Sequence, residues 1–266
     1  MSPRLAGPLV KVARAKMHID ALVAELQSFF ATKPYVIGTK RDPDTRQLIY
    51  YMVNVGETSD SVAAIAGDAL QCLRSALDHL AYQLVLAGTG QAGPFFHVYF
   101  PIANSFAKYE AKKSGRLKGA SDAAIAAIDA VKPYKGGNDS LWLLHTLNNI
   151  DKHRLLITVG SAARSVDLGA YMHRMMQTTA ASSPLWEGKN FPVLHAFFRP
   201  ADRMCSLKPG DELFIDGPDA QPNVEMQFRF DVAFSEPGIP DDPVVETLQK
   251  MAVEVENLLL TFNPLL

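Results

Sequence analysis

Leu70, Leu73, Leu77, Leu80 and Leu84 recur at spacings of three and four, which puts them on one face of a 3.6-residue helix. A leucine seam of that length has to be buried, so the stretch from Ser59 to Leu86 predicts a helix that needs other helices against it. Residues 8 to 32 supply one: Val12, Ala15, Ile19, Leu22, Leu26 and Phe29 follow the same alternation, with charged residues between them. Another starts near Ser140, where Asp139 or Ser140 can cap it, and "LWLLHTLNNIDKHR" carries it to a basic end. The stretch "DDPVVETLQKMAVEVENLLLTF" has an acidic start, a proline at an early helical position and an apolar stripe, so it reads as a closing helix. A shorter helix is expected around Ala123 to Val131, after a lysine-bearing segment.

Between the helices the pattern changes to strands. Tyr35 to Thr39 and Gln47 to Val55 are β-rich runs around "KRDPDT", a turn sequence, and predict a hairpin. Beyond residue 154 come "LLITVG", "VLHAFF", "ELFID" and the alternating run "NVEMQFRFDVAF", where Val224, Met226, Phe228, Phe230 and Val232 share a face. Helices and strands in separate runs argue for an α+β fold, a helical core of long amphipathic helices packed against a mainly antiparallel sheet. No linker rich in Pro, Gly or Ser divides the chain, so the expectation is a single domain over 1–266. It would be helix-rich over 1–154 and strand-rich over 155–240, with a C-terminal helix over 241–263. A helical half and a β half are the alternative.

With 48% hydrophobic residues in 266, the chain can bury a large core, which excludes disorder and a disulfide-stapled miniprotein. Lys plus Arg total 26 against 28 Asp plus Glu, with no long run of like charge, so nothing in the totals advertises a nucleic-acid or anionic-membrane surface. A local basic cleft can still hide within a neutral total. Cys72 and Cys205 stand far apart outside any CxxC pair, which argues against a zinc site or a disulfide framework, and Cys72 reads as a buried thiol. Arg4, Lys11, Arg14 and Lys16 interrupt the N-terminal apolar residues, and no apolar run reaches the roughly 18 residues of a membrane span. The expectation is a cytoplasmic protein with no membrane association.

Two polar clusters stand out. In "LRSALDH", Arg74 and Asp78 are four apart and can pair along the helix, while His79 flanks the leucine seam. In "HTLNNIDKHR", His145 and Asn149 share a face, His153 follows on it if the helix lasts that far, and Asn148 and Lys152 form a parallel strip, with Asp151 between. If the two helices are neighbours, Asp78 and His79 could face His145, Asn149 and His153, bringing a base, an orienting carboxylate and cations into one pocket. The plain reading stands beside it: Arg74 and Asp78 are an ordinary helix pair, and Lys152, His153 and Arg154 are cations favoured by the dipole at a helix C-terminus.

Arg74 and His79, with four residues between them, make an R-x4-H pattern that resembles the signature of HEPN-domain ribonucleases. That resemblance, over six residues, implies a helical bundle that dimerises and cleaves single-stranded RNA without metal. Arg74 would then stabilise phosphate charge, and His79 would act on the 2′-hydroxyl or the leaving group. The long apolar helices are compatible with a homodimer. A second reading makes the chain a non-catalytic ligand- or partner-binding protein whose Asp, His, Asn and Lys residues form a structural network. A third is a metal-dependent hydrolase, since Asp78, His79, His145, Asp151 and His153 are ligand types. HExxH is absent, however, and no metal or other cofactor is expected.

The other features carry less. "GTGQAG" follows a helix and leads into the aromatic run "FFHVYF", so it lacks the strand-to-helix setting of a phosphate loop. His97 within that run is expected in the core or a sheet. His18, His173 and His195 lack a polar cluster, and the methionine-rich "YMHRMMQ" reads as packing. No GxSxG, Walker or Rossmann signature is present.

Overall fold

The computed structural model describes residues 1–91, 93–163, 203–218, 220–222 and 228–266. The run "VLHAFF", the methionine-rich segment, His173, His195, Val224 and Met226 lie outside them. The class is α+β, as the separated helical and alternating patterns predict. The chain divides into two compact units: Met1–Ser28, Ser59–Thr158 and Glu236–Leu266 form one, and Phe29–Thr58 with Val159–Ser235 form the other. The division is therefore not a single cut near residue 154, because the early hairpin belongs with the later strands.

The first unit is built on four long helices: α1 (Ala6–Ala31, whose last turn passes into the second unit), α2 (Asp60–Thr89), α5 (Asp139–Asp151) and α6 (Val244–Thr261). Their seams are the ones the spacing predicts. Val12, Ala15, Ile19, Leu22 and Leu26 are buried on α1, and Leu70, Leu73, Leu77, Leu80 and Leu84 on α2. Leu141, Leu144 and Leu147 of α5 and Leu248, Val255 and Leu259 of α6 complete the core. Burying a leucine side chain contributes about 1.5 to 3 kcal/mol, so the seams rather than helix propensity hold the bundle.

Polar contacts along the seams give the direction of each helix. Glu25 accepts from Ser59 and Ser61, His18 approaches Asp68 to 4.0 Å, and a Cβ added at Gly7 would stand 3.7 Å from His79. Numbering rises along α2 as it falls along α1, so the two are antiparallel. Lys16 pairs with Glu256 at 2.7 Å and the Ser2 amide donates to Asn263 at 2.7 Å, which sets α6 antiparallel to α1. Asn138 donates to Glu254 at 2.7 Å, and Arg154 holds the buried Glu236 through both carboxylate oxygens, which sets α5 antiparallel to the end of the chain. The result is an up-down-up-down bundle.

Two shorter helices lie between α2 and α5: α3 (Phe106–Arg116) and α4 (Asp122–Val131). The segment read only as lysine-bearing is thus a helix, started by Ser105, whose hydroxyl accepts from the Lys108 amide at 3.3 Å. Tyr109 is buried and donates to Asp129 of α4 at 2.5 Å, with Lys113 paired to the same carboxylate. For α5 the cap is Asn138, whose side chain accepts from the Leu141 amide at 2.9 Å, rather than Asp139 or Ser140. His97 is neither in the core nor in a sheet: it is exposed in a turn with φ of 69°.

Among the described residues the second unit holds six strands in two sheets. β1 (Tyr35–Arg41), β2 (Leu48–Val55) and β5 (Glu212–Asp216) form one in that order, both pairings antiparallel. β4 (Arg203–Cys205), β3 (Thr158–Ala163) and β6 (Arg229–Phe234) form the other. β3 begins three residues later than "LLITVG" suggests. Met52, Leu207 and Leu213 make a small core, with Tyr35, Ile37, Val55, Phe228 and Phe230 packed on it. The Tyr35 ring stacks on Phe230 at 4.7 Å, and its hydroxyl is buried without a hydrogen-bond partner among the described residues. Burial, with Asp231 adding to it, pushes that hydroxyl up to about 12.

Two outcomes follow from these contacts. Tyr35→Phe removes a buried hydroxyl that has no partner, so denaturant unfolding is expected to show equal or higher stability, by up to about 1 kcal/mol. At Gly88 a Cβ would meet the Gly119 carbonyl and lie 2.8 Å from the Ser121 amide, both of them backbone. Gly88→Ala is expected to lower stability by about 1 to 3 kcal/mol in the same measurement, despite alanine's better helix propensity.

Candidate functional site

Arg74 lies in the middle of α2 and is only 6% exposed. A charge taken that far out of water needs partners, and it has them. Its Nη1 lies 2.7 Å from Asp78 Oδ1 in an ion pair, and Nη2 donates to the Phe100 carbonyl at 2.9 Å. Asp78 Oδ1 in turn accepts from the Phe100 amide at 2.9 Å. Two side chains one turn apart therefore hold both backbone groups of Phe100, whose ring is itself buried. Burial pushes the Asp78 carboxyl up and the Arg74 guanidinium down, and each partner's charge opposes that push.

His79 takes no part in this. Five residues along a helix turn the side chain by about 140°, so Arg74 and His79 leave α2 in different directions. The imidazole is exposed and lies beside Gly7 of α1.

On α5, His145 is half-buried and its Nε2 stands 3.1 Å from Asn149 Nδ2. The two side chains share a hydrogen bond whose direction depends on the tautomer of the ring. The ring's Nδ1 is buried and has no partner among the described residues. Burial is the largest influence on this ring, and the charges of Arg74, Lys152 and Lys112 add to it, lowering the imidazole to about 4. Lys152 also bears on Asp78. Asn148, one turn along α5, is fully buried with both amide atoms unpartnered among the described residues.

Asp151 marks the other end of the α2–α5 contact. A Cβ on Gly67 would collide with its carboxylate, so Gly67 is the gap that admits Asp151. Burial, with Asp68 behind it, raises that carboxyl. The helix ends there, so His153 does not continue the His145–Asn149 face and is instead exposed beyond the terminus. Gly67 and His79 are separated by twelve residues of α2, about 18 Å of helix axis. His79 and His153 thus lie at opposite ends of the α2–α5 contact, and the pocket expected to hold both does not form.

Of the residues singled out from sequence, the fold therefore pairs Arg74 with Asp78 and His145 with Asn149, with the charges of Arg74 and Lys152 bearing on the His145 ring, and leaves His79, Asp151 and His153 apart. Among the described residues no three His, Cys, Asp or Glu side chains gather as a metal would require. Sequence reasoning missed Lys112 and Arg116. Arg116 stands 4.9 Å over the Tyr99 ring, donates to the His97 carbonyl at 3.3 Å, and its charge bears on Arg74. The available signal was the four-residue interval of Lys108, Lys112 and Arg116, hidden because the segment was not read as a helix. Cys72 is half-buried, and burial raises its thiol. A separate open recess of about 540 Å³ is lined by Trp142, Asp139 and Asp242, with Lys135 lying 4.3 Å over the indole.

His145 makes stability depend on pH. The unfolded chain takes up this proton near 6.5 and the folded chain only near 4, so between those values the unfolded state binds more protons. Stability is expected to fall as pH is lowered through that window, and His145→Gln should flatten the fall in thermal melts from pH 7 to 4. No helix among the described residues is long and apolar enough to cross a membrane. Comparisons with protein-family models, with curated proteins and with solved structures find no match, so the function has to be argued from these residues.

Proposed function

We propose that this chain is a non-catalytic binding protein in which Arg74 and Asp78 are a structural clasp. The observation that carries the reading is the double hold on Phe100: the buried Arg74 guanidinium donates through Nη2 to the Phe100 carbonyl, and the Phe100 amide donates to Asp78. Arg74 Nη1 lies in an ion pair with Asp78, without a hydrogen bond of its own among the described residues. A catalytic arginine has to present donors to a phosphate, whereas this one presents them to its own chain. The histidine of the R-x4-H pattern points elsewhere, toward α1.

The HEPN-type ribonuclease is the second reading. What favours it is the bundle architecture together with the positive charge around His145 from Arg74, Lys152 and Lys112. In that case Arg74 would have to leave Asp78 for RNA, and His79 would have to find its partner arginine on another copy.

The two readings separate on one pair of measurements. Asp78→Ala strands a buried guanidinium and is expected to cost about 3 kcal/mol in denaturant unfolding. The double variant R74M/D78L removes both charges but leaves the Phe100 amide and carbonyl without their side-chain partners, so it is expected to recover part of that loss and to stay below the unsubstituted protein. Single-stranded RNA incubated in EDTA with the unsubstituted protein is expected to stay intact. Cleavage that disappears in His79→Ala at an unchanged melting temperature would overturn the structural reading in favour of the ribonuclease.

A further inference from the structure

The open recess beside the start of α5 lies wholly within the first unit, between residues 135–143 and residues 238–242. Its first wall is knitted by backbone hydrogen bonds. The Asn138 amide donates to the Lys132 carbonyl at 2.8 Å and the Lys135 amide to the Ala103 carbonyl at 3.2 Å, while the Asp139 carboxylate takes the Gly136 amide at 2.7 Å. The Trp142 indole is fixed in its turn, because Nε1 donates to Asn104 at 3.0 Å. On the opposite wall the Asp242 amide donates to the Pro240 carbonyl at 2.8 Å and the Ile239 amide to the Glu236 carbonyl at 3.0 Å, with Glu236 anchored by Arg154. A volume of about 540 Å³ between walls already ordered is the kind of site that holds a small molecule.

Three charged side chains line the recess: Lys135, Asp139 and Asp242. Lys135 forms no ion pair among the described residues; its Nζ lies 4.3 Å over the centre of the indole instead. The Asp242 carboxylate has neither a hydrogen bond nor an ion pair among the described residues, and Asp139 spends one oxygen on the Gly136 amide. Exposed carboxylates alone are answered by water and salt. Here they share a recess with an aromatic face, and that face already carries an alkylammonium, the lysine's own. The contact shows which chemistry the indole accepts. Cation–π contacts at exposed sites are weak, and Lys135 is exposed, so it can yield its place to another cation. Once it swings into water, two carboxylates remain, which two ammonium groups on a short aliphatic chain answer together. An anion or a neutral molecule answers neither.

We propose that this recess binds a small aliphatic diamine, one ammonium resting on the Trp142 indole in place of Lys135 and the other neutralised by Asp139 and Asp242. The methylene chain lies against Leu143 and Pro240, the apolar part of the lining. Lys135 is then a resident competitor, and its removal favours the ligand. The assignment goes beyond the clasp reading by naming a site and a ligand class. It shares no residue with Arg74 or Asp78, so the two stand or fall separately.

The test titrates the full chain with putrescine, using a terminal butanediol as the uncharged chain of the same length and magnesium chloride as the dication without a carbon body, all at matched ionic strength. Calorimetry is expected to show saturable putrescine binding. The Trp142 indole Nε1–H resonance, identified by its loss in Trp142→Phe, is expected to move with putrescine and to stay in place with the diol and with magnesium. Asp242→Asn is expected to weaken putrescine binding about fivefold. Its melting temperature without ligand should stay within about 2 °C of the unsubstituted protein. Lys135→Met is expected to tighten binding about threefold, a gain that damage to the fold does not imitate. Unchanged affinity in both variants, or an indole resonance indifferent to putrescine, overturns the assignment. Magnesium that binds as tightly as putrescine and competes with it reduces the recess to an acidic patch and also overturns it. Binding of a lysine-bearing peptide, with none of putrescine, overturns it in favour of a protein partner. The Asp78→Ala and RNA measurements decide the clasp whatever these titrations show.

Discussion

An arginine buried in the seam of a helical bundle is the constraint around which the first unit is arranged. Taken out of water alone, its charge would cost several kcal/mol, more than a single leucine of the seam contributes. Asp78 offsets part of that cost, and the Phe100 carbonyl meets a donor that the carboxylate leaves free. In exchange the loop that follows α2 is fixed at one residue by both its amide and its carbonyl. Phe100 then drops its ring into the core, and the chain leads on to α3 from a defined point.

That fixed point decides where the positive charge collects. α3 carries Lys108, Lys112 and Arg116 at four-residue intervals, and Lys112 and Arg116 bear on the α2–α5 contact. A chain with a net charge of -2 thus contains a basic neighbourhood, built from three helices that contribute one or two cations each. Burial first, and then the charges of this neighbourhood, hold the His145 imidazole down to about 4.

The helical seams were legible because each is a local periodicity enforced by burial: Val12 to Leu26 and Leu70 to Leu84 are core residues, and their spacing says so. The Arg74–Asp78 pair was legible for the same reason, being one helix turn. What the sequence could not show was the third member. Phe100 takes part through its backbone, which every residue has. The convergence of His79 with His153 failed on two facts that only packing supplies: α2 and α5 run antiparallel, and α5 stops at Asp151. α3 was missed because "AKYEAKKSGR" has little apolar periodicity; one buried residue, Tyr109, with a serine cap is enough once α4 is beside it.

The order of the pieces along the chain carries one more consequence. α1 and α6 lie side by side, tied by Ser2 to Asn263 and Lys16 to Glu256, although the paired positions are 261 and 240 residues apart. A ribosome releases α1 long before it makes α6, so α2 can cover part of the α1 stripe early while the side that meets α6 waits for the end of synthesis. The interleaved order of the two units delays closure further, because the strand-bearing segments must emerge before the bundle can be completed. Protection of that stripe during translation is therefore part of what this topology demands of the cell that makes it.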